Sequence, residues 1–205
     1  MEPAYVTAII SAGAGIVGVL SGNIFVLIKE TLVKADKVKK DTAYLGVIVV
    51  SHLERFASGC LEVALDDGTQ YGRPAGDRGE HEAVVVPPEF SPLNINVEWG
   101  LLPTDLLYAI LRLPDQQDQL QGILAGIKES QADHPEHTEY FWLRMREFAV
   151  LGLRASCLAK KLRKHAALPD DESDDNEWSR DKVLERVIAG IDSKRFAYES
   201  QMRNP

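Results

Sequence analysis

Residues Ala4 to Ile28 form one apolar stretch in which no side chain is charged at neutral pH, and no other feature constrains the fold of this chain as strongly. A helix of roughly 25 residues at about 1.5 Å rise is close to 37 Å long, enough to cross a hydrocarbon core of about 30 Å with some tilt. Residues 1–30 are therefore expected to be a transmembrane anchor. Within it Ser11, Gly15, Gly18 and Gly22 recur at three- and four-residue steps, which puts small side chains on one helical face. A second span could pack closely there, so the expected partner is another copy of the chain, in a homo-oligomer through these four residues. Lys29, Lys34, Lys37, Lys39 and Lys40 follow the stretch and no Lys or Arg precedes it, which by the positive-inside rule keeps the C-terminal part in the cytoplasm. Met1-Glu2-Pro3 offers no basic segment and the apolar run is long for a signal peptide, so the anchor is expected to be retained.

Gly13-Ala14-Gly15-Ile16-Val17-Gly18 satisfies G-x-G-x-x-G, but the strand, turn and helix of a dinucleotide site are missing around it. Apolar sequence continues to Ile28, and the acidic residues at a suitable distance, Asp36 and Asp41, lie among lysines. No nucleotide cofactor is expected.

Once the anchor is set aside, roughly 175 of the 205 residues remain, one ordinary domain with a core of its own. A net charge of -8 and a pI near 5.2 argue against a general nucleic-acid-binding surface. Cys60 and Cys157 share no ligand spacing and read as free, buried thiols.

Lys29 to Asp41 mixes both charges without Gly or Pro, so the helix is expected to run on as a polar stalk. From Thr42 to Leu65 apolar residues recur at Leu45, Val49, His52 or Leu53, Phe56, Cys60 and Val63, the step of an amphipathic helix. That period overrides the strand-like Val47 to Val50. His52 and Glu54 are not neighbours on such a helix and read as surface or core-edge positions. Asp66-Asp67-Gly68 then ends the helix, and a long loop over 66–100 carries Gly72, Pro74, Gly76, Gly79, Pro87 and Pro88. Ala83 to Val86 has β character, and Ile95 to Trp99 could pair with it as a small hairpin. A loop of this length is uncommon unless it is functional or disordered.

The order of an apolar N-terminal stretch, a helix ending near Cys60, Asp66-Asp67-Gly68, Gly72-Arg73-Pro74-Ala75-Gly76 and later Leu151-Gly152-Leu153 resembles uncharacterised single-pass membrane proteins of bacterial genomes. The resemblance covers most of the chain and implies a bacterial source and a shared architecture. It implies no activity and no site residues.

In the second half Pro103 can sit in a first helical turn, with Leu106, Leu107, Ile110 and Leu111 on one face, and Leu113-Pro114 stops that helix. Asp115 can cap the next, which would bury Leu120, Ile123, Leu124 and Ile127. A long helix from about Pro135 to Ala166 carries Phe141, Met145, Phe148, Leu151 or Gly152, Ala155, Leu158 or Ala159 and Leu162 in register. Gly152 inside it costs about 1 kcal/mol relative to Ala, which suggests a close crossing by the Thr42 to Leu65 helix. Arg180 to Met202 is amphipathic through Val183, Leu184, Val187, Ile188 and Ile191, a last helix that docks on the domain or on another chain.

Two clusters invite a chemical reading. Asp133, His134, Glu136 and His137 form a fragment of a metal site, to which Glu80 or His81 would be the additional ligands, but neither HExxH nor a second ligand pair appears. Lys160, Lys161, Arg163, Lys164 and His165 complement the C-terminal partial charge of the long helix, with anionic lipid as their other possible contact.

The expected fold is mainly α: a transmembrane helix, then a helical bundle with one long Gly/Pro-rich loop and a small β hairpin. Its boundaries are 1–30 for the anchor, 31–168 for the helical domain, 169–178 for an acidic linker and 179–205 for the C-terminal helix and tail. No Ser/His/Asp order, Walker loop or paired carboxylate stands out, so no catalytic residue is assigned and neither a cofactor nor a metal is expected. The expected function is that of a single-pass, membrane-anchored interaction or assembly protein of the inner membrane with its body in the cytoplasm. The alternative is an enzyme with its site on loop 66–100, signalled by a pocket lined by Asp67, Arg73 and His81.

Overall fold

The computed structural model describes the backbone of residues 3–130, 135–169 and 177–203, with side chains from Lys29 onward. The first helix, α1 (Pro3–Ala64), belongs to two units, Met1–Thr42 and Ala43–Pro205.

In the first unit the side chains from Lys29 to Lys40 are all exposed, Leu32, Val33 and Val38 included, and those of Asp41 and Thr42 are half-buried. Lys40 and Asp36 pair one turn apart at 2.8 Å. The expected anchor is corrected here. Among the described residues no helix is long and apolar enough to cross a membrane. The described part of α1 fails that requirement for two reasons: residues 29–41 are crowded with lysines and carboxylates, and the stretch from Thr42 puts His52, Glu54, Arg55 and Glu62 on its polar side. Residues 4–28, with Ser11, Gly15, Gly18 and Gly22 and the glycine motif around them, have side chains outside the described residues. The membrane as partner, the single-pass topology and the inner-membrane location rested on the anchor and are corrected with it.

In the second unit the three-to-four-residue period of α1 becomes a buried stripe, because every side chain on one face meets the same neighbours. Leu45, Val49, Leu53, Phe56, Cys60 and Val63 are at most 2% exposed. They pack with Phe148, Leu151, Ala155, Leu158, Ala159 and Leu162 of α4 (Thr138–His165). Gly152 marks a close approach: a Cβ there would stand 3.0 Å from Cys60 Cβ, 3.4 Å from the Ala57 carbonyl oxygen and 3.1 Å from Leu184 Cδ1. A side chain at this position would be tight against the two helices it faces, so that its neighbours would have to give by a few tenths of an ångström.

Between α1 and α4 lie α2 (Thr104–Leu111) and α3 (Leu113–Ser130). Pro114 is the second residue of α3, where its missing N–H breaks no helical bond, so the proline redirects the chain without opening a loop. Leu120 and Leu124 are buried as their spacing predicts, whereas Ile123 is 57% exposed. α4 ends with Arg163, Lys164 and His165 beside its C-terminal carbonyls. α5 (Arg180–Arg203) buries Leu184 and Ile191, two turns apart, and joins α4 through Lys160 to Asp181 at 2.8 Å and Arg146 to Asp192 at 2.7 Å. Most of the expected acidic linker, residues 170–176, lies outside the described residues.

The hairpin forms elsewhere than expected. β1 (Thr69–Gln70) pairs antiparallel with β2 (Arg73–Pro74), Thr69 opposite Pro74 and Gln70 opposite Arg73. Tyr71 and Gly72 between them have φ of 53° and 74°, the two left-handed residues of a tight primed turn. Ala83 to Val86 stays irregular, and Trp99 opens a short 3-10 turn (Trp99–Leu101).

Candidate functional site

The long loop is not loose, and the groups that hold it decide where a site can form. Asp66, the first residue after α1 and its one-residue turn, is buried, and its carboxylate accepts from the Gly68, Val84 and Val85 amides at 3.1, 2.9 and 2.8 Å. Arg144 of α4, 2% exposed, donates to the same carboxylate at 2.9 Å, to the Asp66 carbonyl at 3.3 Å and to the Val85 carbonyl. A buried pair this well supplied with further hydrogen bonds offsets its desolvation, and it welds the loop to the ends of two helices. It also explains the missing strand, because the amides of Val84 and Val85 are taken by a carboxylate.

The second hold is Pro88. It sits on α1 at Gly59, where a Cβ would come within 2.6 Å of Pro88 Cβ, and its carbonyl accepts from Gln117 Nε2 of α3 at 2.6 Å. Two residues on, Phe90 is buried with its ring 5.3 Å from that of Phe56. The chain then tightens into a 3-10 turn (Pro92–Asn94).

Between this turn and α1 lies a groove of about 600 Å³. Ile48, Phe56, Phe90 and Ile95 give it an apolar floor, and Ser91, Asn94 and Asn96 a neutral polar wall. His52 and Arg55, one turn apart on α1, open onto it and are exposed. The one carboxylate of the lining, Glu89, accepts from Ser91 Oγ at 2.8 Å. Arg55 makes no ion pair among the described residues, whereas Arg163 is committed to Glu54 at 2.6 Å and Arg146 to Asp192. A guanidinium and an imidazole above an apolar floor suit a ligand with an anionic head and an apolar body.

The residues singled out from the sequence fall elsewhere. Asp67 accepts from the Thr69 amide and hydroxyl at 3.0 and 2.7 Å, and His81 lies with Nδ1 3.2 Å from the Asp67 carbonyl and its ring against Phe141. Arg73 is in β2. Asp67 and His81 thus serve the turn and its packing, and among the described residues no specific catalytic site of the expected kind is found on loop 66–100. Glu136 and His137 lie at the start of α4, while Asp133 and His134 lie outside the described residues. Among the described residues no group of three potential ligands could hold a metal. The basic end of α4 is used internally: Arg163 also donates to the Pro169 carbonyl at 3.2 Å, and His165 Nε2 is 3.2 Å from the Leu101 carbonyl. Cys157, expected in the core, is exposed.

Sequence reasoning missed both the Asp66–Arg144 pair and the groove. Arg144 left a trace: it follows Phe141 by three residues and precedes Phe148 by four, so a charge stands on an apolar stripe. Arg55 left none, because its counter-wall comes from the loop. Comparison with protein families, curated proteins and solved structures finds no match for this chain. The resemblance to single-pass bacterial membrane proteins is thereby corrected: no family match supports it, and no membrane-crossing helix stands among the described residues.

Proposed function

We propose that this helical domain is a binding module whose groove over His52 and Arg55 takes an amphiphilic anion, a carboxylate or phosphate carried on an apolar body. The observation that carries the reading is Arg55: a guanidinium without an ion-pair partner among the described residues, in a chain of net charge -8, above the Ile48–Phe56–Phe90–Ile95 floor. Arg presents a planar fork of donors that matches a carboxylate or phosphate, and the asparagines and Ser91 can complete its contacts without adding charge. The groove volume suits a small ligand.

Calorimetric titration of the intact chain with octanoate and octyl phosphate tests this. Saturable binding is expected, weakened about ten- to a hundredfold by Arg55→Ala and less by Arg55→Lys. Absence of saturable binding by either probe, or equal affinity in Arg55→Ala, would contradict the proposal.

A further inference from the structure

Along the groove the side chains of α1 follow one another in order of polarity. Tyr44, Ile48, His52 and Arg55 stand three or four residues apart and so form one stripe on the helix surface. All side chains of a helix tilt toward its N-terminus, so the order of the residues is the order of their groups: phenol, branched alkyl, imidazole, guanidinium. Tyr44, aromatic as it is, stands 64% exposed beyond the half-buried Ile48. The opposing wall keeps the same direction. Pro88 meets Gly59 and the Phe90 ring lies against Phe56, so the loop runs back along α1 and carries Ile95 toward the Ile48 end. Glu89 stands toward the other end, its carboxylate engaged by Ser91 Oγ at 2.8 Å.

From this order we infer, resting on the anion site proposed at Arg55, that the ligand is a single-chain alkyl anion whose head lies at His52 and Arg55 and whose chain runs along α1 over Ile48 to Tyr44. Ile48 is roughly 10 Å along the helix axis from Arg55, the reach of an extended chain of about eight carbons. Tyr44 is roughly 16 Å from Arg55, the reach of about twelve. A compact apolar body held at Arg55 would leave Tyr44 in water. A chain that covers it gains apolar contact with every added carbon, about two- to fourfold in affinity for each methylene removed from water. Val47 is the contrast on the same turn. It is 55% exposed, but it lies about 100° around the helix from Ile48, to the side of the stripe.

The test is calorimetric titration of the intact chain with octanoate and with dodecanoate, both below the concentrations at which they form micelles. Dodecanoate is expected to bind about fifteenfold tighter than octanoate or more, from its four further methylenes. Tyr44→Gln is expected to shrink that ratio about three- to tenfold, and Val47→Gln to leave it as in the native chain. Both positions are exposed and glutamine is a good helix former, so both variants keep the fold. If octanoate shows no saturable binding, the anion site itself fails and the chain direction with it. If octanoate binds and depends on Arg55, the chain direction alone is overturned by dodecanoate binding no tighter, by a ratio unchanged in Tyr44→Gln, or by an equal loss in Tyr44→Gln and Val47→Gln.

Discussion

Arg144 occupies the position at which a helix of this pattern would ordinarily carry a leucine, and its burial depends on Asp66. Removing one partner leaves the other charge buried without compensation, which costs about 3–5 kcal/mol. Asp66→Ala and Arg144→Ala are each expected to lower unfolding free energy by that amount in urea denaturation. The double substitution is expected to cost less than the sum, because the second change removes the stranded charge. Strict additivity would show that the two residues do not act as a pair. The two thiols differ as sharply. Burial pushes the Cys60 thiol up to about 12, with Arg180 opposing only weakly, whereas Cys157 is exposed. A thiolate reagent at pH 8 is therefore expected to modify one thiol quickly and the second only on unfolding. Cys157→Ser should abolish the fast phase, and two fast thiols in the native chain would contradict the assignment.

Among the helices, α5 depends most visibly on charge for its position on α4. Burial would raise the Asp181 carboxyl, but hydrogen bonds from Lys160 and Ser156 and the charges of Lys160 and Arg180 outweigh it and hold the group below its ordinary value of 3.8. Asp192 is lowered chiefly by its hydrogen bond from Arg146. A carboxyl lowered on folding contributes stability that is complete above its unfolded value and lost as pH falls through the folded one. Melting temperature is thus expected to drop below about pH 4. Asp181→Asn with Asp192→Asn should be less stable at neutral pH and flatter across the acid range; parallel curves would contradict this. The element scale also shows what the sequence made legible. Regular spacing announced the second half of α1, the long α4 and its close crossing at Gly152, because helical periodicity depends on neighbours within a turn or two. The hairpin was misplaced because Ala83 to Val86 has strand propensity but its amides meet the Asp66 carboxylate. Met145 was expected in the core, and Arg144, one residue earlier, holds the deeper position.

At the scale of the whole molecule, the Ala43–Pro205 unit is a helical body in which one helix stripe supplies the core and the adjoining edge of that same helix, sharing Phe56, supplies the groove. The core half was readable from Leu45 to Val63, whereas the groove half required knowing that Pro88 seats on Gly59 from 29 residues away. The apolar N-terminal stretch dominated the reading of the sequence because it satisfies the length rule for a span, yet the described residues contain no helix able to cross a membrane. What organises the described chain is the loop held at Asp66 and at Pro88, which builds the wall facing His52 and Arg55. The most direct measurement is a two-dimensional amide NMR titration of the intact chain with octanoate. Shifts should cluster at residues 48–56 and 88–96, saturate with one affinity, and vanish in Arg55→Ala while the rest of that spectrum stays native. Shifts spread over the surface, or a cluster at those residues that survives Arg55→Ala unchanged, would contradict the account.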